Sequence, residues 1–161
     1  MYGENYGYRS GLNASMVAHL NDKVKKILEQ VELHKGDLVI DIGSNDSTTL
    51  QAYPSFGPDL VGIDPTGIKF HSYYPPHIQL IPNFFSSALV KEYFPKRKAK
   101  VVTSFSMFYD LEDPTDFMQQ VHEGAYDFTR YSLSGHRRLF NGFAEIDYVM
   151  VAGPATTLVW A

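Results

Sequence analysis

Small polar and acidic residues follow an apolar run in the first third of the chain. Residues 37–43 are mostly apolar and rich in β-branched side chains, and Ser44, Asn45 and Asp46 come directly after them. Gly43 allows the backbone to turn sharply and to approach a ligand closely. The N-terminus of a following helix would offer free N–H groups to a polar ligand. These residue types predict a ligand-binding turn at the end of a buried strand.

A second acidic residue occupies the same kind of position after the next apolar run. Asp64 and Pro65 follow the run Asp59–Ile63, and Asp64 lies roughly 20 residues beyond Gly43. At that spacing an acid is placed to accept hydrogen bonds from both hydroxyls of a ribose. Each feature alone has a simpler explanation, a turn glycine in one case and a helix cap in the other. Together they favour a nucleoside-type ligand.

The composition of the first turn indicates the charge of that ligand. It contains one glycine and is flanked by Asp41 and Asp46, whereas a pyrophosphate-binding turn has the pattern Gly-x-Gly-x-x-Gly. A pyrophosphate tolerates added acids poorly. Asp41 and Asp46 instead suit a cationic ligand, such as the sulfonium and amino group of S-adenosylmethionine. An NAD-binding domain is therefore the weaker hypothesis.

Alternating apolar runs predict the scaffold that brings these turns together. Residues 37–43, Asp59–Ile63, Ile78–Ile81 and Ala99–Phe105 have the pattern of strands buried on both faces of a parallel sheet. The segments between them are long enough to hold helices or loops, as in βαβ units. The expected fold is α/β, a Rossmann-like three-layer sandwich with a mostly parallel sheet.

The remaining segments predict helices and a closing hairpin. Residues 12–33 repeat apolar side chains at three- and four-residue steps, as in an amphipathic helix, with Asn13 as its N-cap. Residues 113–123 predict another helix, and the strand that usually follows it is missing near residues 123–124. The tail predicts a helix over residues 133–140 and two strands, residues 144–151 and 156–160, that pair as an antiparallel hairpin.

Length and composition limit the classes of function. The 161 residues fit one domain over the whole chain. The net charge of −4 does not indicate the clustered basic surface that nucleic-acid-binding domains usually have. With no cysteine, no apolar leader and no membrane-length apolar stretch, the chain is expected to be cytoplasmic. The expected partner is a small-molecule substrate, with no nucleic acid and no membrane. The fourth strand would either pair with the terminal hairpin or leave an exposed edge, and an exposed edge would allow a homodimer.

Four segments together resemble the sugar C-methyltransferases, which methylate nucleotide-linked deoxysugars with S-adenosylmethionine. The segments are residues 6–11, 39–46, 62–67 and 106–114, within a resemblance that covers residues 1–123. Residues 124–161 resemble type 11 methyltransferases more closely. The resemblance implies a class I methyltransferase fold and S-adenosylmethionine as the cofactor.

The resemblance also implies which residues contact the cofactor, most of them at strand ends. They are Tyr6, Arg9 and Ser10 as a cover from the N-terminal segment; Asp41, Gly43, Ser44 and Asn45 at the methionine end; Asp64 at the ribose, with Pro65 beside the adenosine; Asn83 and Phe84 flanking the adenine; and Ser104, Phe105, Ser106 and Met107 as the floor. No metal site is implied.

The sequence differs from that family at the stretch that is thought to supply the catalytic base. Residues 128–130 read Phe-Thr-Arg in place of a His-Glu-His stretch, and the cysteine-rich zinc domain has no counterpart. Tyr109, Asp110, His122 and His136 are candidate bases, and the sequence does not decide between them.

Two hypotheses therefore remain. One is an active methyltransferase on a small molecule, such as a nucleotide-linked or polysaccharide sugar. The other is a cofactor-binding domain without turnover, which the missing His-Glu-His stretch favours.

Overall fold

One sheet organises the computed structural model, which describes residues 7–107, 110–124 and 157–160. Its strands are β1 (Leu38–Ile42), β2 (Asp59–Ile63), β3 (Ile78–Ile81), β4 (Ala99–Phe105) and β5 (Thr157–Trp160). They lie in the order β3-β2-β1-β4-β5. The first four strands are parallel, and β5 runs antiparallel to β4. The strands are short, apolar and rich in β-branched residues, which suits a sheet covered on both faces.

Helices cover the two faces of this sheet. They are α1 (Ala14–Gln30), α2 (Gly67–Phe70), α3 (Ser87–Tyr93) and α4 (Pro114–Gly124), with shorter 3-10 turns at Ser10–Leu12, Leu50–Ala52 and His71–Tyr73. Asn13 caps α1, because its Oδ1 accepts a hydrogen bond from the Ser15 N–H at 3.0 Å. Within the described ranges, no helix combines the length and apolarity needed to cross a membrane.

Two apolar clusters hold the layers together. On one face, Ile40 and Val102 of the sheet pack with Val90 of α3 and Val121 of α4. On the other face, α1 packs its buried residues against β1, β2 and β4. The predicted α/β three-layer, Rossmann-like architecture is confirmed.

The predicted strands agree with the structure to within one residue at each end where the chain is described, and helix α1 is shorter than the predicted residues 12–33. The strands β2, β3 and β4 have the predicted limits, and β1 is shorter than predicted by one residue at each end. The predicted strand over residues 156–160 is β5, which pairs with β4. The predicted helix over 133–140, the strand over 144–151 and the segment after Gly124 that lacks a usual strand lie outside the described residues.

The order of the strands reverses beside β1. The chain passes from β1 through β2 to β3 on one side and then returns to β4 on the other side. In open α/β sheets, ligands bind outside the carboxyl ends of the strands at such a reversal. The turns after β1, β2 and β4 therefore converge on the expected binding position.

Gly62 makes room for one of these turns. A Cβ atom at Gly62 would lie 2.9 Å from the Ser44 Cβ, in still closer contact with the Ser44 hydroxyl, and 3.1 Å from the Tyr74 ring. Because β2 is held by β1 and β3 on its two sides, the backbone at residue 62 has little freedom to move away.

Gly62→Ala should therefore destabilise the protein by about 1–3 kcal/mol, the range for overpacking a filled interior. Urea unfolding followed by circular dichroism measures the change. Gly7→Ala is the matched control, because nothing lies within 4 Å of a Cβ at Gly7. An equal loss in both variants would contradict the proposed contact between Gly62 and Ser44.

Candidate functional site

A cavity of about 570 Å³ opens at the carboxyl ends of the parallel strands. Its size falls in the range of small-molecule sites, about 300–1,000 Å³. Of the residues predicted to contact a cofactor, those that line it are Ser10, Gly43, Ser44, Asn45, Asp64, Pro65, Phe84, Phe105, Ser106 and Met107. The fold thus brings most of the predicted site to one place.

The turn after β1 is tightly folded. Gly43 has φ 76°, and a Cβ there would lie 3.0 Å from the Met107 sulfur. The next residues with positive φ are Asn45 at 50° and Ser47 at 64°. Glycine adopts this left-handed conformation readily, and asparagine more readily than most other residues. Gly43 is therefore required both for the turn and for the approach of Met107.

Asp64 ties this turn to the end of β2. Its Oδ2 accepts a hydrogen bond from the Asn45 N–H at 2.7 Å, and its Oδ1 accepts from the Thr66 N–H at 2.7 Å and the Thr66 hydroxyl at 2.6 Å. A carboxylate has about four lone-pair positions, so acceptor capacity remains toward the cavity. The structure fixes the orientation of Asp64, and its role at a ribose stays a prediction.

Tyr74 supports the same turn, although the sequence gives no sign of it. Its hydroxyl donates to the backbone oxygen of Asn45 at 2.9 Å and lies 2.9 Å from the Ser44 hydroxyl. Burial raises the pKa of the Tyr74 phenol, so the phenol keeps its proton. The contact spans some thirty positions of sequence, and no local pattern predicts it.

The N-terminal segment lies against the turn after β1. The Ser10 N–H donates to Asn45 Oδ1 at 3.0 Å, and the Gly11 N–H donates to Asp46 Oδ2 at 2.9 Å. In the other direction, Asn45 Nδ2 donates to the backbone oxygen of Tyr8 at 2.9 Å. These bonds hold Tyr8 and Ser10 at the cavity that both residues line.

Asp46 and Arg9 fasten this segment and do not line the cavity. Asp46 accepts hydrogen bonds from Gly11 and from the Thr48 hydroxyl, and Arg9 Nη1 lies 3.6 Å from its carboxylate. The Arg9 guanidinium also lies over the Tyr73 ring, 4.0 Å from its centroid. These donors hold the Asp46 carboxylate within the protein, and the prediction that it offers its charge to a ligand stays a prediction.

Asp41 is also displaced from its predicted place. Its side chain is 2% exposed and does not line the cavity; it lies below the turn, where the Thr103 hydroxyl donates to it at 2.6 Å. Burial raises the pKa of Asp41 to about 7, against the lowering effect of the Thr103 hydrogen bond. Strand alternation turns its side chain into the sheet face that α1 covers, and its predicted contact with the cofactor stays a prediction.

Three further predicted residues lie away from the cavity or outside the described chain. Asn83 is exposed, and its Oδ1 accepts the N–H of Phe84 at 2.8 Å. Ser104 is buried, and its hydroxyl has no hydrogen-bond partner among the described residues. Tyr6 lies outside the described residues, so its predicted role as a cover stays a prediction.

Every charged residue that lines the cavity within the described ranges is acidic. These residues are Asp64, Asp110 and Glu112. Glu112 is missing from the predicted site, because a polar residue in a loop gives no sign of the cavity it borders. The described residues also contain no cluster of three or more histidine, aspartate or glutamate side chains that could hold a metal ion. The cavity therefore has the charge that a cationic ligand needs.

The candidate bases are separated by the fold. Asp110 lines the cavity, and its N–H donates to the Met107 oxygen at 3.1 Å. His122 lies near the end of α4 and does not line it. Tyr109 and His136 lie outside the described residues. Asp110 is thus the one sequence candidate that the described structure places at the cavity.

Helices α1 and α4 also contribute apolar side chains to the lining. Met16 and Leu20 of α1 face the cavity, and the rings of Phe85 and Phe117 pack against each other with centroids 5.4 Å apart. An amphipathic pattern predicts that such residues are buried, but it does not distinguish a core position from a cavity wall.

One known methyltransferase shares a short stretch of similar sequence with this chain. The C-methyltransferase NovU of Streptomyces niveus is 35% identical over 60 residues, which are 37% of this chain and 14% of the relative's length. This match confirms the resemblance to methyltransferases that the motifs predict. No family model matches the chain.

One solved structure has a low overall similarity to the chain. It is a complex between the Haloferax volcanii Trm112 methyltransferase activator and a protein described as a methyltransferase, with 12% identity and a TM-score of 0.38. The likeness covers 80% of this chain and 72% of the other. That complex includes a protein activator, a kind of partner that the prediction of a small-molecule substrate and a possible second copy does not contain. Net charge and motif spacing carry no information about protein-binding surfaces.

The buried Asp41 should affect the pH dependence of stability. Because its pKa is raised from 3.8 to about 7, Asp41 favours the folded state fully below about pH 4, and this contribution is lost as the pH rises through 7. Asp41→Asn cannot ionise. The free energy of unfolding of the variant, relative to wild type, should therefore rise by roughly 4 kcal/mol between about pH 4 and pH 8.

Chemical denaturation of both proteins across that pH range tests this. A difference that stays constant with pH would mean that Asp41 titrates in the folded protein as it does in the unfolded chain.

Proposed function

We propose that this chain is an S-adenosylmethionine-dependent methyltransferase domain that acts on a small, sugar-like molecule. The observation that carries the proposal is the acidic cavity at the strand reversal, together with the local similarity to a C-methyltransferase. The matched segment is a small part of that relative's length, so the activity and acceptor of the whole enzyme are part of the proposal.

The charge of the cavity supports this cofactor. S-adenosylmethionine supplies an electrophilic methyl group on a positively charged sulfonium. Asp64, Asp110 and Glu112 give the lining a negative charge, and no lysine, arginine or histidine of the described residues lines the cavity. A dinucleotide would place its negatively charged pyrophosphate in a cavity that offers it no cationic side chain from the described residues. Burying an unpaired charge in this way is unfavourable.

The walls of the cavity suit the parts of the cofactor. Asp64 is oriented by the Asn45 N–H and by Thr66, and it keeps acceptor capacity for a ribose hydroxyl. Pro65 and Phe84 offer flat apolar surfaces for an adenine ring. Ser44 and Asn45 offer polar groups for the methionine end. In this arrangement the chain contributes to catalysis mainly by binding and orienting the reacting groups.

The segment after β4 supports a hydroxylated acceptor. Asp110 and Glu112 line the cavity, and neither carboxylate is hydrogen-bonded within the described part of the chain. Carboxylates accept hydrogen bonds from sugar hydroxyls, and the Phe117 ring offers an apolar face to a sugar ring. Attack on a methyl group by a hydroxyl or carbon also needs a proton acceptor. We assign that role to Asp110, because it is the candidate base that lines the cavity among the described residues.

Phe84→Ala should weaken S-adenosylmethionine binding by roughly tenfold, because it removes one apolar face of the adenine site. Phe84 is 63% exposed, so its loss should leave the fold intact. Phe56→Ala is the matched control, since Phe56 is 89% exposed and precedes β2 at the opposite end of the strands. Isothermal titration calorimetry on the three proteins measures the affinities.

Folded wild type that binds no S-adenosylmethionine would overturn the proposed function. Equal weakening in Phe84→Ala and Phe56→Ala would place the cofactor elsewhere. Tight binding without methyl transfer to any sugar acceptor would leave a cofactor-binding domain without turnover.

A further inference from the structure

Met107 is a sulfur side chain at the cavity to which the proposed function assigns no role. It follows β4, is half-buried and lines the cavity. Its sulfur lies against the turn after β1, 3.0 Å from the position that a Cβ at Gly43 would take. The side chain also packs against the apolar cluster that contains Ile42 and Val102. Met107 therefore borders the cavity, the turn at Gly43 and the core at once.

The thioether of methionine is the sulfur group of this chain that peroxides oxidise. The chain contains five methionines and no cysteine, so no thiol competes for the oxidant. With hydrogen peroxide, the sulfur lone pair forms a bond to one peroxide oxygen and the O–O bond breaks. The second oxygen takes the remaining proton and leaves as water, so the sulfur is oxidised to a sulfoxide and the peroxide is reduced. The product is polar where the thioether was apolar.

Two methionines lie where a peroxide in the cavity would reach them. Met107 and Met16, which belongs to α1, both line the cavity of about 570 Å³. The other methionine of the described residues, Met118 of α4, lines a separate void of about 10 Å³, which is close to the space of one water molecule. A cavity that admits a small-molecule ligand also admits hydrogen peroxide.

An oxygen atom on the Met107 sulfur has no favourable orientation among the described residues. On one side the sulfur already crowds the space beside Gly43, so the oxygen would press on the backbone of the turn. On another side the side chain packs against apolar residues, where an oxygen without a hydrogen-bond donor is unfavourable. The remaining direction leads into the cavity. Each orientation therefore disturbs the turn, the core or the space of a ligand.

We propose that Met107 is a modification site, at which oxidation of the thioether by a peroxide lowers the affinity of the cavity for its ligand. The sulfoxide displaces the turn at Gly43, and with it the Asn45 N–H that orients Asp64. A bound ligand in turn shields the sulfur from the oxidant. The inference concerns regulation of the proposed site and rests on the proposed function, because S-adenosylmethionine is the ligand that it assumes.

Met16 is not equivalent to Met107, although both line the cavity. The three atoms nearest to a Cβ at Gly43 all belong to Met107. Oxidation of Met16 therefore leaves the contact at Gly43 in place. This difference makes Met16 a gauge of peroxide access to the cavity and a control for the effect of oxidation.

Peptide mapping by mass spectrometry tests the reactivity of the site. Folded wild type is treated with hydrogen peroxide, with and without saturating S-adenosylmethionine, and the sulfoxide at each methionine is measured. Met16 and Met107 should both be oxidised in the free protein, and the ligand should slow both reactions without changing that of Met118. A Met107 that stays reduced while Met16 is oxidised would overturn the proposal.

Met107→Leu and Met16→Leu form the matched pair for the effect on binding. Leucine has a volume similar to that of methionine, and peroxide does not oxidise it. Isothermal titration calorimetry compares each protein with its own untreated sample. Peroxide should lower the affinity of wild type and of Met16→Leu for S-adenosylmethionine by about tenfold, the effect of one unpaired buried polar group. It should leave the affinity of Met107→Leu at its untreated value, and an equal loss in both variants would overturn the role of Met107.

Two further readouts cover the other outcomes. If Met107→Leu does not fold, wild type is oxidised in part, and the fraction that loses binding should equal the fraction oxidised at Met107; unequal fractions would overturn the proposal. Untreated wild type that binds no S-adenosylmethionine would instead overturn the proposed function. The urea midpoint then decides the role of Met107, since peroxide should lower it further in wild type than in Met107→Leu, and equal shifts would contradict that role.

Discussion

The hydrogen bonds that converge on the Asp64 carboxylate are the constraint on which the site depends. They join the Asn45 N–H after β1 to the Thr66 backbone and side chain after β2. Parallel strands bring these two turns to the same edge of the sheet, and the carboxylate fixes their distance. Tyr74 holds the same turn through the Asn45 oxygen. The cavity thus keeps its shape because a buried acid is fully oriented by the protein before any ligand arrives.

The fold could be predicted to a large extent from the sequence. The β-branched runs that form β2, β3 and β4 have the predicted bounds, and Asn13 caps α1 as its residue type suggests. These features are local, because a strand buried on both faces must be apolar along its length. Gly43 and Asp64 were predictable for the same reason, since each follows directly after such a strand.

The parts of the site that the sequence does not predict depend on long-range contacts. Asp46 has the residue type of a ligand-binding acid. In the structure, however, its carboxylate accepts a hydrogen bond from the Gly11 N–H and forms an ion pair with Arg9 of the N-terminal segment. Asp41 belongs to the predicted motif, yet strand alternation buries it beside Thr103. Packing between distant segments decides which hydrogen-bond donors reach an acidic side chain. The spacing of residues within a motif does not predict that packing.

The charge of the cavity links these observations to function. The acids of the first turn are buried or paired, and the carboxylates after β2 and β4 give the lining its charge. A cationic cofactor is the ligand that we propose, and the charge that would attract it comes from Asp64, Asp110 and Glu112. The most direct test is a nuclear magnetic resonance titration of the nitrogen-15-labelled chain with S-adenosylmethionine. The account predicts saturable shifts of the Gly43, Asn45 and Asp64 amides, with none at Gly57 at the opposite end of the strands. Shifts confined to other surfaces, or none at millimolar cofactor, would contradict it.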